Sequence, residues 1–546
     1  MQQQNVLSWY EASLPPQERK MRGHFSTPPQ LVERILDACG YTADNDLARI
    51  RVLDPACGSG NFLAGVASRL LASAYRVGLS HKAQIMAVQR NIWGFDPDPV
   101  ACFLAEMQLR TIVAERSREC YTHACRMCKH QQTVPFHIHQ ADGLALPWKQ
   151  DANIDLFLAN PPYLATKNND LSGYRYARQR GQADSYLLFL NLALQVVRPG
   201  GWIGLVIPDP VLARSNATLE RQHLLAEATV HSLWHLSDVF PAHVGAVVII
   251  AQKRSPSSLH QVKWLRGAWP RVCESATKDR AYPQESGVDS SDTSHSIPQS
   301  LLRSQPGSEL RYLLSDAQDS LVGRLHAYLC TTHAMRERRF VPLSELVLIR
   351  RGEELSKESG LLVQRKPEDG REWLPVLRGG VDLQAYTHPI ADSWILREGV
   401  VKPLERYLKP KLLVVKSTGR LQAALDLRGH VVLQTLYLLC PYTDDANEHY
   451  FLLALLNSRL LQEYVSVLYT AYKWVQPQIE QRVLTHLPIP TLETAEKVSI
   501  SQRAQALMSA CSKGEPVVEL SEQYNQIYEE QERAICALYE KLLLGR

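Results

Sequence analysis

No run of about 18 apolar residues occurs anywhere in the 546-residue chain, which argues against a membrane-spanning helix. Met1 to Glu18 lacks a basic start followed by an apolar core, the pattern of a secretory signal, so a cytoplasmic protein with no membrane partner is expected. Charge of one sign is not in excess either. Sixty basic residues stand against 56 acidic ones, a formal net charge of +4. Any basic surface must therefore be local rather than global. No internal repeat is visible at periods of 20 to 50 residues. Cysteine is sparse, 11 in all, and a reducing compartment keeps such thiols free. One cluster gathers Cys120, Cys125 and Cys128 with His123, His130, His137 and His139. Cys125 and Cys128 have zinc-ligand spacing, but the second pair of a four-ligand site is missing. A loop of free thiols and solvated histidines is the plain reading, and a small structural zinc site the alternative. Hydrophobic residues make up 45%, ordinary for a globular protein, and the length implies two to four domains.

What the chain does contain is alternation. Short apolar runs at Ile50–Leu53, Ile92–Phe95, Phe136–Gln140, Ile154–Ala159, Trp202–Ile207 and Ala246–Ala251 predict strands. Helical stretches such as Phe62–Ala74, Val100–Arg116 and Ser185–Val197 lie between them. This pattern predicts an α/β fold, a Rossmann-like doubly wound and mainly parallel sheet. Such folds bind ligands beyond the carboxyl ends of their strands. Asp54, Asp96, Asp142 and Asn160 fall at those ends.

The segment Asp54-Pro55-Ala56-Cys57-Gly58-Ser59-Gly60 joins a buried strand to a helix. Gly58 and Gly60 let the backbone approach a ligand closely, and the helix start offers unpaired N–H groups. A carboxylate before the turn would repel a pyrophosphate and suits a cation, such as the amino group of a methionine moiety. Asp96, at the next strand end, can accept hydrogen bonds from both hydroxyls of a ribose. Asp98 is placed to cap the helix that begins at Pro99. Asp142 could meet the amino group of an adenine, although Asp-Gly turns are common on surfaces.

Asn160-Pro161-Pro162-Tyr163 follows the fourth strand. An aromatic amine is a poor nucleophile because its lone pair is delocalised into the ring. Two acceptors near its N–H groups favour a localised lone pair. The Asn160 side-chain oxygen and the Pro161 carbonyl can supply them, held by the stiffness of two prolines. Tyr163 offers a flat face on which a base can stack. By itself the tetrapeptide says only that a planar amino group is the acceptor; an amide, a guanine and an adenine all qualify.

Taken in order, these segments resemble the gamma-class N6-adenine DNA methyltransferases of the TaqI type. The resemblance rests on Phe25-Ser26-Thr27-Pro28 as a leading cofactor motif, Asp54 to Gly60, Asp96, Asp142, Asn160 to Tyr163, and Phe240-Pro241 followed by Val244 to Ile250. It implies S-adenosylmethionine as methyl donor, with Phe25, Thr27, Pro28, Asp54, Pro55, Ala56, Cys57, Gly58, Gly60, Asp96 and Asp142 around it. It also implies that Phe240 packs on the target base opposite Tyr163. The expected activity is methyl transfer to adenine N6 in duplex DNA by base flipping, as the modification component of a restriction-modification or phage-defence system, with cleavage supplied by another subunit. Transfer to a guanine amino group of RNA or to a protein glutamine is the alternative. The long segment between Asp96 and Asp142 departs from the family pattern and leaves the alignment of Asp142 open.

Four regions follow: residues 1–265 as catalytic domain, 266–330 as linker and connecting helix, 331–490 as an α+β target-recognition domain, and 491–546 as C-terminal helices. The linker reading rests on Ser-, Asp- and Gln-rich sequence over Ser275–Glu309. In the third region Lys402, Arg406, Lys409, Lys411, Lys416 and Arg420 gather within about twenty residues, with Tyr407, Tyr469, Tyr472 and Trp474 nearby. Basic residues neutralise phosphates and Arg reads guanine edges, so Arg378, Lys409, Lys411, Lys416 and Arg420 are the candidate contacts to double-stranded DNA. Trp373 to Gly380, Lys411 to Lys416 and Leu455-Leu456-Asn457-Ser458 also resemble recognition domains of this group.

Overall fold

The structure, a computed structural model, describes residues 26–121, 135–149, 153–164, 170–171, 173–174, 184–240, 245–269, 293–314, 320–331, 337–355, 360–379, 383–469, 478–511 and 522–545. Phe25, Cys125, Cys128, Pro241, Tyr472 and Trp474 lie outside them, and the side chain of Cys120 is likewise not described. The chain divides into two compact units, residues 1–312 and 313–546.

Among the described residues, the first unit is built on nine strands: β1 (Val52–Asp54), β2 (Ile92–Asp96), β3 (His137–Gln140), β4 (Ile154–Ala159), β5 (Val197–Pro208), β6 (Thr229–Ser237), β7 (Ala246–Gln252), β8 (Gln261–Ala268) and β9 (Thr293–Pro298). Their order is β3-β2-β1-β4-β5-β7-β6-β8-β9. The first five run parallel, and β7 lies antiparallel between β5 and β6. Helices α1 (Pro29–Ala38), α2 (Asn61–Arg76), α3 (His81–Asn91), α4 (Pro99–Tyr121), α5 (Ser185–Val196), α6 (Thr218–Glu227) and α7 (Gln299–Ser304) complete it. Strand β4, IDLFLA, is almost wholly buried, as a strand covered on both faces must be. Helix α5 is buried along nearly its whole length, which its all-round apolar sequence requires. Strand order reverses at β1 and β4, so their carboxyl ends open the crevice where such folds hold ligands.

The linker expected over Ser275–Glu309 is corrected for its second half. β9 pairs with β8, and residues up to 312 belong to the first unit. One of the polar residues that suggested a linker, Gln299, satisfies buried backbone groups instead. Gln299 accepts from Val230 N and donates to the carbonyls of Leu225 and Ala228. Buried Arg221 donates to the carbonyls of Val211, Arg214 and Gly307.

In the second unit, β11 (Val347–Arg351), β18 (Leu436–Pro441), β15 (Lys411–Val415) and β16 (Ala423–Asp426) form one sheet. A second sheet comprises β12 (Leu362–Val363), β14 (Ser393–Leu396), β13 (Trp373–Leu377) and β17 (Val431–Val432), and β10 (Phe340–Pro342) pairs with β19 (Pro488–Pro490). The period of two along β15 divides its side chains. Leu413 and Val415 join the core between the two sheets. Leu412 and Val414 join the core shared with helices α8 (Leu321–Leu329), α10 (Ala446–Leu456), α11 (Arg459–Leu468), α13 (Thr494–Cys511) and α14 (Glu522–Leu544); α9 (Glu405–Leu408) and α12 (Gln481–Thr485) are single short turns. The C-terminal helices are thus part of this unit's core rather than a separate region. No single helix among the described residues is long and apolar enough to cross a membrane; the bent pair α10 and α11 passes that test together but supplies much of the buried core.

Candidate active site

A cavity of about 580 Å³ opens at the carboxyl ends of the parallel strands, within the usual range for a small-molecule site, and is lined by Asp54 to Ser59, Asp96, Asp142 and Asn160 among others. Each carboxylate is fixed by backbone. Asp54 Oδ1 accepts from Ala56 N at 3.1 Å. Asp96 Oδ2 accepts from Gly58 N at 3.0 Å and its Oδ1 from Asp98 N at 2.9 Å. Asp142 Oδ1 accepts from Leu144 N at 2.9 Å, and its Oδ2 accepts from the Tyr174 hydroxyl. Asp98 turns to its own helix, accepting from Val100 N at 2.9 Å.

Two glycines are sterically required. A Cβ on Gly143 would lie 2.1 Å from the Pro55 carbonyl oxygen. Gly60 has φ of +93° at the start of α2 and backs onto Ala105, so it shapes the turn without facing the cavity. Thr27 lines the cavity, and its carbonyl accepts from Asn61 Nδ2 at 2.9 Å. Pro28 precedes α1 as its cap residue, its carbonyl accepting from Leu31 N and Val32 N.

Burial pushes the Asp54 carboxyl up to about 8, helped by the nearby Asp96 and opposed by the Ala56 N–H. The Cys57 thiol is pushed up by burial and by both aspartates. A deep carboxylate beside two further acids, set in a glycine turn, is an acceptor set suited to a ligand carrying an ammonium, a ribose and an amino-purine. S-adenosylmethionine has all three, and the residues present fit it.

At the adjoining edge, the Tyr163 hydroxyl donates to Asn160 Oδ1 at 3.3 Å. Burial raises the Tyr163 phenol, with Asp209 adding to the shift. Tyr163 and Phe240 meet edge to face, ring centroids 6.3 Å apart at 78°. A base entering between them requires one ring to turn. Pro161 is buried and Pro162 lines the cavity. Sequence reasoning missed Asn61, Leu171, Tyr174, Ser185 and Phe189, which also line it. Asp184-Ser185 ahead of an apolar helix reads as a helix start, although Asp184 makes no side-chain cap bond there, and that pattern gives no sign of the contact with Pro162.

The basic patch of the second unit is corrected in part. Lys411 is 0% exposed. Its Nζ donates to Asp426 Oδ2 at 2.6 Å and to the Tyr407 carbonyl at 2.5 Å. His430 Nδ1 lies 2.9 Å from Asp426 Oδ1. Burial opposes ionisation of Asp426, but the His430 hydrogen bond and the Lys411 charge outweigh it and hold the carboxyl at about 2. Lys411 therefore cannot reach a phosphate. Tyr407 is buried too, donating to Glu353 at 2.8 Å. Lys402 and Arg406 donate to the Gly352 and Arg351 carbonyls. Arg378 is half-buried, its Nη2 donating to both carboxylate oxygens of Asp392 at 2.9 and 3.0 Å. Lys409 and Arg420 are exposed, and Lys416 is half-exposed. Asn457 has a backbone role: its side chain accepts from Ala423 N and donates to Ala423 O, both at 2.9 Å. Ser458 caps α11.

Residues 8–265 match the family described as N-6 DNA Methylase, and residues 377–489 the TaqI-like C-terminal specificity domain. The chain is 25% identical to the type II methyltransferase M.BstVI of Geobacillus stearothermophilus over 47% of either chain. It is 30% identical to M.XhoI of Xanthomonas vasicola over 34% of either. With M.TthHB8I of Thermus thermophilus the identity is 23%, over 63% of this chain and 73% of that one. The chain thus spans half or less of the length of the first two. Among solved structures, the type IIL restriction-modification enzyme MmeI in complex with DNA shares the fold at a TM-score of 0.64 and 12% identity, over 98% of this chain and 78% of that one.

Proposed function

From a chain that joins an N-6 DNA methylase domain to a TaqI-like C-terminal specificity domain, we propose a site-specific DNA methyltransferase acting on the N6 amino group of adenine. The observation that carries this reading is the shared cavity lined by Asp54, Asp96, Asp142 and Asn160, a donor-binding arc continuous with an amine-activating carboxamide.

Thr27, Asp54, the backbone of Pro55 to Gly58, Asp96 and Asp142 hold S-adenosylmethionine, and Phe25 belongs to the same group by resemblance. When bound, that molecule supplies a methyl group on a positively charged sulfur. Asn160 Oδ1 and the Pro161 carbonyl accept from the target amine and localise its lone pair. Tyr163 and Phe240 grip the base once one ring has turned to admit it. An adenine inside a duplex cannot reach Asn160, so the base must leave the stack. Lys409, Lys416 and Arg420 are the phosphate-contacting candidates that keep their exposure, with Arg378 available if it exchanges Asp392 for a base edge. Double-stranded DNA is the partner, and a separate subunit of a restriction-modification or phage-defence system supplies cleavage.

The test is to incubate the purified protein with S-adenosylmethionine and unmodified genomic DNA, then map modified bases by sequencing. N6-methyladenine in one sequence context is the expected result. Methyl groups on protein or ribosomal RNA, with none in DNA, overturn the reading.

A further inference from the structure

Ser185 begins α5, is 2% exposed, and touches the catalytic turn in three ways. Its hydroxyl donates to the Pro162 carbonyl. The same oxygen accepts from Leu164 N at 3.0 Å. Its backbone N–H donates to the Leu164 carbonyl at 2.9 Å. One side chain thus bridges the acceptor and donor that flank Tyr163. Neither proline has an N–H to give, so the turn cannot brace itself through those residues. The base of the brace is itself anchored, because the Asp184 carboxylate accepts from Arg214 at 3.3 Å and Asn216 at 3.4 Å.

We propose that Ser185 is a positioning residue for methyl transfer, closing the Pro162-Tyr163-Leu164 bend so that Asn160 Oδ1 and the Pro161 carbonyl are aimed at the target amine. The Pro162 carbonyl accepts from Ser185, and the Pro161 carbonyl keeps the role in amine activation proposed above. In this role the serine acts through the turn rather than on the amine or the methyl group. The inference rests on the methyltransferase reading above and adds a residue to it.

An acceptor displaced by about 1 Å can cost on the order of 100-fold in rate. Ser185→Ala leaves the Pro162 carbonyl and the Leu164 N–H without this partner. The experiment measures single-turnover methyl transfer to a duplex containing the mapped site, with S-adenosylmethionine affinity and DNA affinity measured separately on the full chain. Ser185→Ala is expected to slow transfer by about 10- to 100-fold, with both affinities within about twofold of the wild type. Ser185→Thr, which keeps the hydroxyl, is expected to recover most of the rate. An unchanged rate in Ser185→Ala overturns the proposal. So does a loss of either affinity that matches the loss of rate, since that outcome assigns the serine to general packing. Wild-type protein that transfers nothing to DNA overturns the parent reading instead, and the two failures are told apart by that control.

Discussion

On the proposed reading, Asp54 couples ligand binding to a proton. Its carboxyl moves from an ordinary 3.8 to about 8 on folding, so at pH 7 the folded protein alone holds it mostly protonated. Folded protein therefore binds this proton more tightly than the unfolded chain. The stability it lends is full below pH 4 and falls as pH climbs from about 4 to about 8. A cationic ammonium needs the carboxylate, so binding S-adenosylmethionine at pH 7 should release a proton, and affinity should rise with pH toward about 8, above which loss of the ligand's own ammonium proton opposes it. Calorimetric titration at pH 7 in buffers of different ionisation enthalpy measures this directly. Asp54→Asn should abolish the buffer dependence; a wild-type protein with none would refute the coupling. Asn160→Ala should lower transfer by at least about 100-fold while leaving the donor's dissociation constant unchanged in the same titration. Asp54, Asp96 and Asn160 were legible in the sequence because each ends an apolar run, and strand ends face the crevice; Asp142, two residues past the polar strand β3, was less so. Ser185 and Gly143 were not. Their roles depend on what lies across the cavity, 23 residues away in the case of Ser185 and Pro162, and no local pattern encodes that.

At the level of elements, counting charge along the chain misplaced Lys411. It opens a strand buried on both faces, where the side chain is committed to Asp426 rather than to solvent. Removing one member of such a buried set leaves the others uncompensated. Lys411→Ala should therefore cost about 3–5 kcal/mol, read as a lower chemical-denaturation midpoint, with the salt dependence of DNA binding unaltered. Lys416→Ala and Arg420→Ala should behave oppositely. Stability should hold, while the slope of log affinity against log salt falls by roughly one for each phosphate that is no longer neutralised. Of the parallel strands, β1, β2, β4 and β5 were legible as apolar runs, and the polar β3 only weakly. Strand β6 was not, because His231, Ser232 and His235 interrupt its run; buried His235 sits 3.3 Å from the Tyr312 hydroxyl and 3.9 Å from Asp209. Strand β9 was hidden by its Ser-rich composition.

For the whole molecule, the reading divides labour between chemistry and grip. Saturating DNA should make single-turnover transfer insensitive to moderate salt, whereas affinity for DNA should fall steeply with it. The chain by itself should methylate its site and, with magnesium added, leave unmodified DNA uncut; nicks or double-strand breaks on a gel would refute the assignment of cleavage to another subunit. One small feature bears on how the second unit stays folded. Strand β16 stands last in its sheet, yet all four of its residues are buried, so its backbone groups have no water to turn to. The Asn457 amide answers Ala423 with one donor and one acceptor, imitating the backbone of a strand that is not there. Its replacement by leucine leaves two buried backbone groups without that answer, at about 1–3 kcal/mol for each group, and a lower denaturation midpoint is where the change should be felt first.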